Sequence, residues 1–351
     1  MIRAKVIGAT GYGGIGIIEL LLQHPSVQLT TLVAREEIGK PIDAIYPHLA
    51  GFCDLPVLAA DDPRAQAPAD VVFFATPDGV GMLQAPDAIQ SGARVIDYSG
   101  DFRFASAEAY TDYATRIGRN PVHAAPDWLG RNVYGLTELH RDALRSARLV
   151  GNPGCFAVSC ILGLAPAMKL GLIDPVGAIC DCKTGVSGAG KKLSAPFHFP
   201  ARYEQMNAYR LAGHQHVCEV EHELAQQAGR EVRVTFTAQV VPVCRGILST
   251  LYGSLTRPLG EAEILALYRD FYQDSPFVRI YDSQTAIGTM QVRGTNFCNL
   301  TVSVDARCNR LRIVSHIDNL MKGQAGSALQ NMNVMFGLPE TTGLSRPSSY
   351  P

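Results

Sequence analysis

The 351 residues are 47% hydrophobic and 18% charged, with a formal net charge of -1. Such a chain can bury a large core across two domains, and the lack of a long basic run argues against nucleic acid as a partner, since neutralising phosphates takes clustered Lys and Arg. No apolar run approaches the roughly 18 residues of a membrane span, Met1 leads straight into Lys5-Val6-Ile7 with no room for a signal peptide, and nine cysteines without a C-x-x-C pair predict reduced thiols. The expectation is a cytoplasmic protein with a small-molecule partner and no membrane partner.

The chain opens with a short apolar strand that runs into Gly8-Ala-Thr-Gly-Tyr-Gly-Gly14, followed by a helical stretch from Ile17 to Gln23. Glycines in a strand-to-helix turn let backbone N–H groups approach a pyrophosphate at a helix N-terminus, so Gly8, Thr10, Gly11, Tyr12, Gly13 and Gly14 are expected at the cofactor. The spacing Gly8-x-x-Gly11-x-x-Gly14 is weak by itself; the strand before it and the helix after it make it strong.

Gln28 to Val33 reads as a second strand. A domain that prefers NAD usually ends this strand on Asp or Glu, which bonds the ribose 2′-hydroxyl. Here Leu32-Val33-Ala34-Arg35 puts a guanidinium in that place, which favours the 2′-phosphate of NADP. Glu36 and Glu37 would invert the preference if the strand ended later, and Lys40 would add positive charge. A third strand, Val71 to Ala75, breaks at Thr76-Pro77-Asp78-Gly79, so Thr76 and Pro77 are expected to line the cofactor cleft.

The alternation of strand and helix continues through Val95-Ile96-Asp97. It predicts an α/β, Rossmann-type dinucleotide-binding domain over residues 1–150, with ligands at the carboxyl ends of a mostly parallel sheet. Ser99-Gly-Asp-Phe-Arg103 and Tyr134-Gly-Leu-Thr-Glu138 are further loops of this kind. Arg103 suits a carboxylate or phosphate, or is a plain surface arginine.

Val150-Gly-Asn-Pro-Gly-Cys155 is the stretch around which the rest is organised. Pro and Gly force a tight turn, and an apolar run of helical period follows from Phe156 toward Leu170, so Cys155 should sit at or just before the first turn of a buried helix. Unpaired N–H groups and the helix dipole stabilise a thiolate there, and a cysteine so placed falls from about 8.5 toward 3.5–7.5 in pKa. The plain alternative is a small buried hydrophobe. Presentation by Asn-Pro-Gly raises the case for a nucleophile.

Beyond it, Val232–Thr237, Ile247–Tyr252, Leu300–Val304 and Leu311–Ser315 read as strands without a helix between every pair. Residues 151–317 are therefore expected to form an α+β catalytic and dimerisation domain with a largely antiparallel sheet, one face of which can bury a partner subunit. Glu261–Phe271 reads as a covering helix. The glycine-rich loop Lys183 to Lys192 is either an anion cradle built from N–H groups and hydroxyls or a flexible linker.

Gly213-His-Gln-His-Val-Cys-Glu219 starts another helix, with His216 and Glu219 at i,i+3, a plausible acid/base arrangement. His214, His216, Cys218 and His222 are also possible metal ligands, but zinc wants a second organised pair and Cys180-x-Cys182 lacks the spacing, so no metal is expected. A helical pattern at Gly323–Phe336 suggests that residues 318–351 return to the first domain. The last half dozen residues read as disordered.

The glycine turn, Asp101-Phe-Arg103, Tyr134-Gly-Leu-Thr-Glu138, Gly151-Asn-Pro-Gly-Cys155, Gly185-Val-Ser-Gly-Ala-Gly190, His214-x-His216, Pro242-x-x-Arg-Gly-Ile247, Ile317-Asp-Asn-Leu-Met-Lys-Gly323 and the run from Gln330 to Leu344 together resemble the N-acetyl-γ-glutamyl-phosphate reductases of arginine biosynthesis, within the aspartate-semialdehyde-dehydrogenase-like superfamily. The resemblance covers the whole chain. It implies an NADP-dependent acyl-phosphate reductase that works through a Cys155 thioester, with His214 or His216 and Glu219 as the proton-handling group.

It also implies cofactor contacts at Ser187, Gly188 and Asn319, the last near the nicotinamide, and substrate contacts at Arg103, Tyr134, Asn152 and Arg245. A homodimer or homotetramer is expected. Phe156-Ala-Val158 stands where the family usually has Tyr-Pro-Thr, and Gly100 where it usually has Ala. These departures leave open the one-carbon-longer aminoadipyl substrate of a similar lysine-biosynthesis enzyme. A non-catalytic NADP(H) sensor would have no use for a helix-start cysteine beside two histidines.

Overall fold

The computed structural model describes residues 1–349. It divides into two units: Met1–Thr115 with Arg119–Pro153 and Gln324–Ser345, and Gly154–Gly323 with residues 116–118 and the segment from Arg346. This division falls between Pro153 and Gly154, inside the cysteine motif, three residues beyond the boundary expected at 150. The returning segment begins at Gln324 and not at residue 318, because Asp318 and Asn319 are bonded within the second unit.

In the first unit, β1 (Ile2–Ile7), β2 (Val27–Val33), β3 (Val57–Leu58), β4 (Val71–Phe74), β5 (Arg94–Asp97), β6 (Val133–Tyr134) and β7 (Leu149–Gly151) form one sheet in the order β3-β2-β1-β4-β5-β7-β6. All its pairings are parallel. Because the chain leaves β1 for β2 on one side and reaches β4 on the other, the strand order reverses at β1/β4, where doubly wound sheets bind ligands beyond the carboxyl ends of their strands. All four residues of β4 are buried, as befits a parallel strand covered on both faces.

Among the described residues, the helices of ten or more residues are α1 (Tyr12–Leu22), α2 (Gly81–Gln90), α3 (Ala107–Arg116), α4 (Thr137–Ser146), α5 (Cys155–Lys169), α6 (His216–Ala228), α7 (Glu261–Phe271) and α8 (Gly326–Met335). α8 packs on α1 and α4. The helix expected over Gly323–Phe336 is in fact a π-turn at Met321–Ala325 followed by α8.

The second unit holds β8 (Val176–Thr184), β9 (Asn207–Tyr209), β10 (Arg233–Val240), β11 (Ile247–Ser254), β12 (Val278–Tyr281), β13 (Cys298–Asp305) and β14 (Arg310–Ile317) in the order β12-β13-β14-β11-β8-β10-β9. The pairings are antiparallel except β8–β10 and β12–β13. Helix α5 is apolar around its whole circumference and is buried from Phe156 to Met168, so it runs through the core. Its Ser159 hydroxyl is satisfied there by Ser249 and Ser315, each at 2.9 Å. The short strands β9 and β12 carry too little pattern to be read from sequence.

None of the nine cysteines is in a disulfide, and among the described residues no helix is long and apolar enough to cross a membrane. Of the final residues expected to be disordered, Arg346 is tied to the Gly294 carbonyl at 2.9 Å. Tyr350 and Pro351 lie outside the described residues.

Candidate active site

The glycine turn after β1 is tight for a steric reason. Gly8 has φ +86°, and a Cβ there would lie 2.3 Å from the Ala75 carbonyl oxygen; a Cβ on Gly14 would lie 2.2 Å from the Gly8 oxygen. Only glycine lets the start of α1 close onto the strand ends. The Gly11 N–H bonds the Gly8 carbonyl at 3.1 Å, and the Tyr46 hydroxyl holds the Thr10 carbonyl at 2.8 Å. Gly11 caps α1 without a side-chain hydrogen bond, and no acidic residue sits in the first turn, so the positive end of this helix is uncompensated from within. Tyr12 is at the edge of the turn, partly exposed.

Two buried polar atoms have no partner here: Thr76 Oγ1, just past β4, and Gln324 Oε1, whose amide nitrogen would be 3.0 Å from a Cβ on Gly13. Orphaned hydrogen-bonding atoms beside a glycine turn are what a dinucleotide site looks like before its ligand is counted. Pro77 is exposed on the same loop. β2 ends at Val33, paired with Ile7, so exposed Arg35 stands just past the strand end. Glu37, at φ +62°, turns away into an ion pair with Lys40 at 2.6 Å.

In the second unit Cys155 is the first residue of α5, half-buried, with Gly154 as N-cap in extended conformation. The Gly154 N–H is held by Glu219 Oε1 at 2.7 Å. The sequence puts Glu219 beside His216; its fully buried carboxylate also anchors the turn that presents Cys155. The π-turn packs on the same place: a Cβ on Gly323 would fall 2.8 Å from Cys155 Cβ. Gly323 closes the motif that begins at Ile317, whereas nothing in the sequence singles out Tyr209. The Tyr209 phenol is pushed well up, first by burial and then by the Cys155 charge, which puts that ring within electrostatic reach of the sulfur.

His214 and His216 are both buried, with ring centroids 4.9 Å apart. They share an aromatic nest with Phe156, at 5.6 and 6.0 Å, and His214 also meets Phe236 and Tyr209. The two differ in kind. The His216 backbone N–H donates to His214 Nδ1 at 3.2 Å, so His214 carries its proton on Nε2, and burial, followed by the neighbouring His216 and Arg210, pushes its pKa down to about 2. It stays neutral across any working pH.

Asn319 links two strand ends. Its Oδ1 accepts the Gly246 N–H at 2.8 Å and its Nδ2 donates to Ser187 Oγ at 2.9 Å; Gly188 lies alongside, with 3.8 Å between a Cβ placed on it and Asn319 Nδ2. Arg245 is clamped by fully buried Asp318 at 2.8 Å and keeps part of its side chain exposed.

Of the N–H groups in the Lys183–Lys192 loop, read from sequence as either an anion cradle or a flexible linker, five are bonded to protein carbonyls. Gly185, Val186 and Ser187 donate to the carbonyls of Gly246, Val243 and Cys244, while Gly188 and Gly190 donate within the loop. The turn at 243–246 has taken those donors.

The residues expected at the substrate other than Arg245 lie in the first unit. Asn152 is fully buried, its Nδ2 donating to the Gln324 carbonyl at 3.0 Å and its Oδ1 accepting from Asn331 at 3.2 Å. Arg103, also buried, donates from Nε to the Asn152 carbonyl at 2.8 Å and from Nη2 to the Tyr98 carbonyl at 2.6 Å. Tyr134 is buried with its ring edge-on to His140. All three brace the end of β7. Among the described residues no three His, Cys, Asp or Glu side chains are grouped to hold a metal ion.

Comparison with known proteins identifies the class first. Residues 3–147 match the family model "Semialdehyde dehydrogenase, NAD binding domain" and residues 155–319 match "Semialdehyde dehydrogenase, dimerisation domain". In fold the chain is similar to aspartate semialdehyde dehydrogenase II from Vibrio cholerae (TM-score 0.70, 17% identity, 96% of this chain and 99% of that one). It is likewise similar to aspartate semialdehyde dehydrogenase with NADP from Candida albicans (TM-score 0.66, 16% identity, 96% and 98%).

Curated relatives named N-acetyl-γ-glutamyl-phosphate reductase include those of Desulforudis audaxviator, 44% identical over 100% of both chains, and Brevibacillus brevis, 42% identical over 100% of both. The chain belongs to the N-acetyl-γ-glutamyl-phosphate reductase family of semialdehyde dehydrogenases.

Proposed function

We propose that this chain reduces N-acetyl-γ-glutamyl phosphate to N-acetylglutamate semialdehyde and phosphate, with NADPH, through a thioester on Cys155. The observation that carries the reading is Cys155 as the first residue of α5, with the N–H of its capping glycine bound by buried Glu219. The thiolate attacks the acyl carbonyl and the bond to the phosphate oxygen breaks, so phosphate leaves as an anion; Arg245, pre-set by Asp318, is the cation assigned to it. Bound NADPH supplies the hydride that reduces the thioester. First-turn N–H groups of α5 hold the resulting oxyanion; as it collapses to the aldehyde and the carbon–sulfur bond breaks, His216 gives its proton to the departing sulfur and takes it back when the thiol ionises for the next turnover. What favours His216 over His214 is the latter's occupied Nδ1 and suppressed protonation.

For the cofactor, α1 and the Gly8–Gly14 turn are assigned to the pyrophosphate and Thr76 and Gln324 to its neighbouring groups, with Arg35 on the 2′-phosphate. Ser187 and Asn319 are proposed nearest the nicotinamide. The relatives quoted above are named for the glutamyl substrate, which favours it over the aminoadipyl homologue. A homodimer or homotetramer is proposed through the open face of the second unit's sheet, where Leu248, Thr250 and Tyr252 alternate with buried residues. A cytoplasmic location is proposed from the reduced thiols.

The deciding assay is phosphate-dependent reduction of NADP by N-acetylglutamate semialdehyde, run beside its one-carbon-longer homologue, with the oligomer read by sedimentation. Turnover only with the longer aldehyde, or none with either, would refute the reading.

A further inference from the structure

The loops that follow β4 and β5 hold one another through two carboxylates. Asp78 Oδ1 accepts the Gly100 N–H at 2.7 Å and the Tyr113 hydroxyl at 3.3 Å. In return, fully buried Asp101 takes the Gly79 N–H on both oxygens at 2.9 Å and the Met82 N–H on Oδ2 at 3.0 Å. Asp101 is itself fixed: its N–H donates to Ser99 Oγ at 3.1 Å, that hydroxyl donates to Asp97 Oδ2 at 2.5 Å, and His123 Nε2 meets its carbonyl at 2.9 Å. The approach is close as well, since a Cβ on Gly100 would lie 2.2 Å from the Tyr113 ring.

The consequence is a division of labour between two helix starts. The N–H groups at the head of α2 are occupied by an anion from the chain itself, whereas α1 has no side-chain cap and no acidic residue in its first turn. A phosphate is steered to α1. The loop 76–79 is left as a fixed wall, on which Thr76 Oγ1 is buried without a partner.

We propose that Asp78 and Asp101 are positioning residues for the cofactor: by exchanging backbone hydrogen bonds across the two loops, they hold Thr76–Gly79 in the shape that receives the dinucleotide. This rests on the assignment of the unit to NADP(H). Neither carboxylate touches the ligand; each acts through the other's loop. Asp101 thus has a use within this arrangement that does not require it to meet the substrate.

The test uses the full chain. Asp101→Asn keeps an acceptor but loses the charge, and is expected to raise the Kd for NADPH about tenfold by fluorescence titration. The loss in turnover should fall on KM for NADPH and not on kcat, and amides at 77–83 should exchange faster. Asp78→Asn, at a half-buried position that tolerates the change in charge better, is expected to cost about threefold, and the double variant about tenfold, less than the product, because the two bonds form one latch. Asp78→Asn carries the test if the Asp101 variant does not fold. NADPH affinity unchanged in the variants, or a loss on kcat with KM unchanged, overturns the proposal alone. A wild-type chain that does not bind NADPH overturns the cofactor reading and the proposal with it.

Discussion

The two strand-to-helix turns to which the chemistry is assigned, at Gly8–Gly14 and at Gly151–Cys155, are built on different plans. The glycine turn at Gly8–Gly14 is closed mainly through backbone: Gly11 bonds Gly8, Ile15 bonds Gly11, two missing side chains let the turn close onto itself and the Ala75 carbonyl, and one distant side chain, Tyr46, bonds the Thr10 carbonyl. The cysteine turn is held from far along the chain. Glu219 takes the Gly154 N–H, Gly323 leaves space for Cys155, and Asn152 is fixed by Asn331 and the Gln324 carbonyl. A turn that only has to receive a ligand's phosphates needs close backbone approach. One that has to place a reactive sulfur needs a fixed side chain as well, and that takes support from several elements.

The most direct attack on the cysteine turn is at the sulfur. Cys155→Ser is expected to fold and bind NADPH yet lose nearly all turnover, because a serine hydroxyl is scarcely ionised near neutral pH. Iodoacetamide should label Cys155 ahead of the exposed Cys244 and Cys308, with substrate protecting it; a Cys155→Ser variant that kept a tenth of the activity would sink the thioester route. Next comes the proton. His216→Asn should lower kcat by about 10²–10⁴ with little change in NADPH affinity. His214→Asn should cost less and leave the pH profile of kcat in shape, since that ring is neutral throughout.

The contrast between the turns can also be probed at a position with no reactive group. Gly323→Ala pushes a methyl into Cys155 Cβ, and a displaced nucleophile should lower kcat by up to about 10² while NADPH titration stays normal. The matching change at the other turn is Arg35→Ala. Wild type is expected to prefer NADPH over NADH by about tenfold or more in kcat/KM, roughly 1.4 kcal/mol, and the variant should lose most of that through a raised KM for NADPH. Equal use of both cofactors by the wild type would remove Arg35 from the site.

The smallest effect is on stability. His214 is held down to about 2 from 6.5, so below pH 6.5 the unfolded chain binds a proton that the folded chain refuses. Stability from this group is therefore intact above pH 6.5 and falls as pH drops from there toward 2. Denaturant midpoints at pH 7 and pH 5 should differ less in His214→Asn than in wild type.

The parallel sheet, the glycine turn, the end of β2 before Arg35 and the placement of Cys155 at a helix start were all legible in the sequence, because each depends on local periodicity and on residues adjacent in the chain. So were four strands of the second sheet, β10, β11, β13 and β14; the nine-residue β8 was not among them, and the short β9 and β12 have too few residues to carry a period. What separates the two histidines was not legible: His214 and His216 look equivalent in sequence, and only the fold gives His214 its neighbour's N–H and suppresses its protonation. Nor does the sequence show that Asn152, Arg103 and Tyr134 are bonded or packed about the end of β7, or that carbonyls at 243–246 take N–H groups of the glycine-rich loop. A donor's usefulness depends on what else reaches it first, and those competitors, Asn331, Tyr98 and the carbonyls at 243–246, are brought to it by the fold and are not its neighbours in the chain.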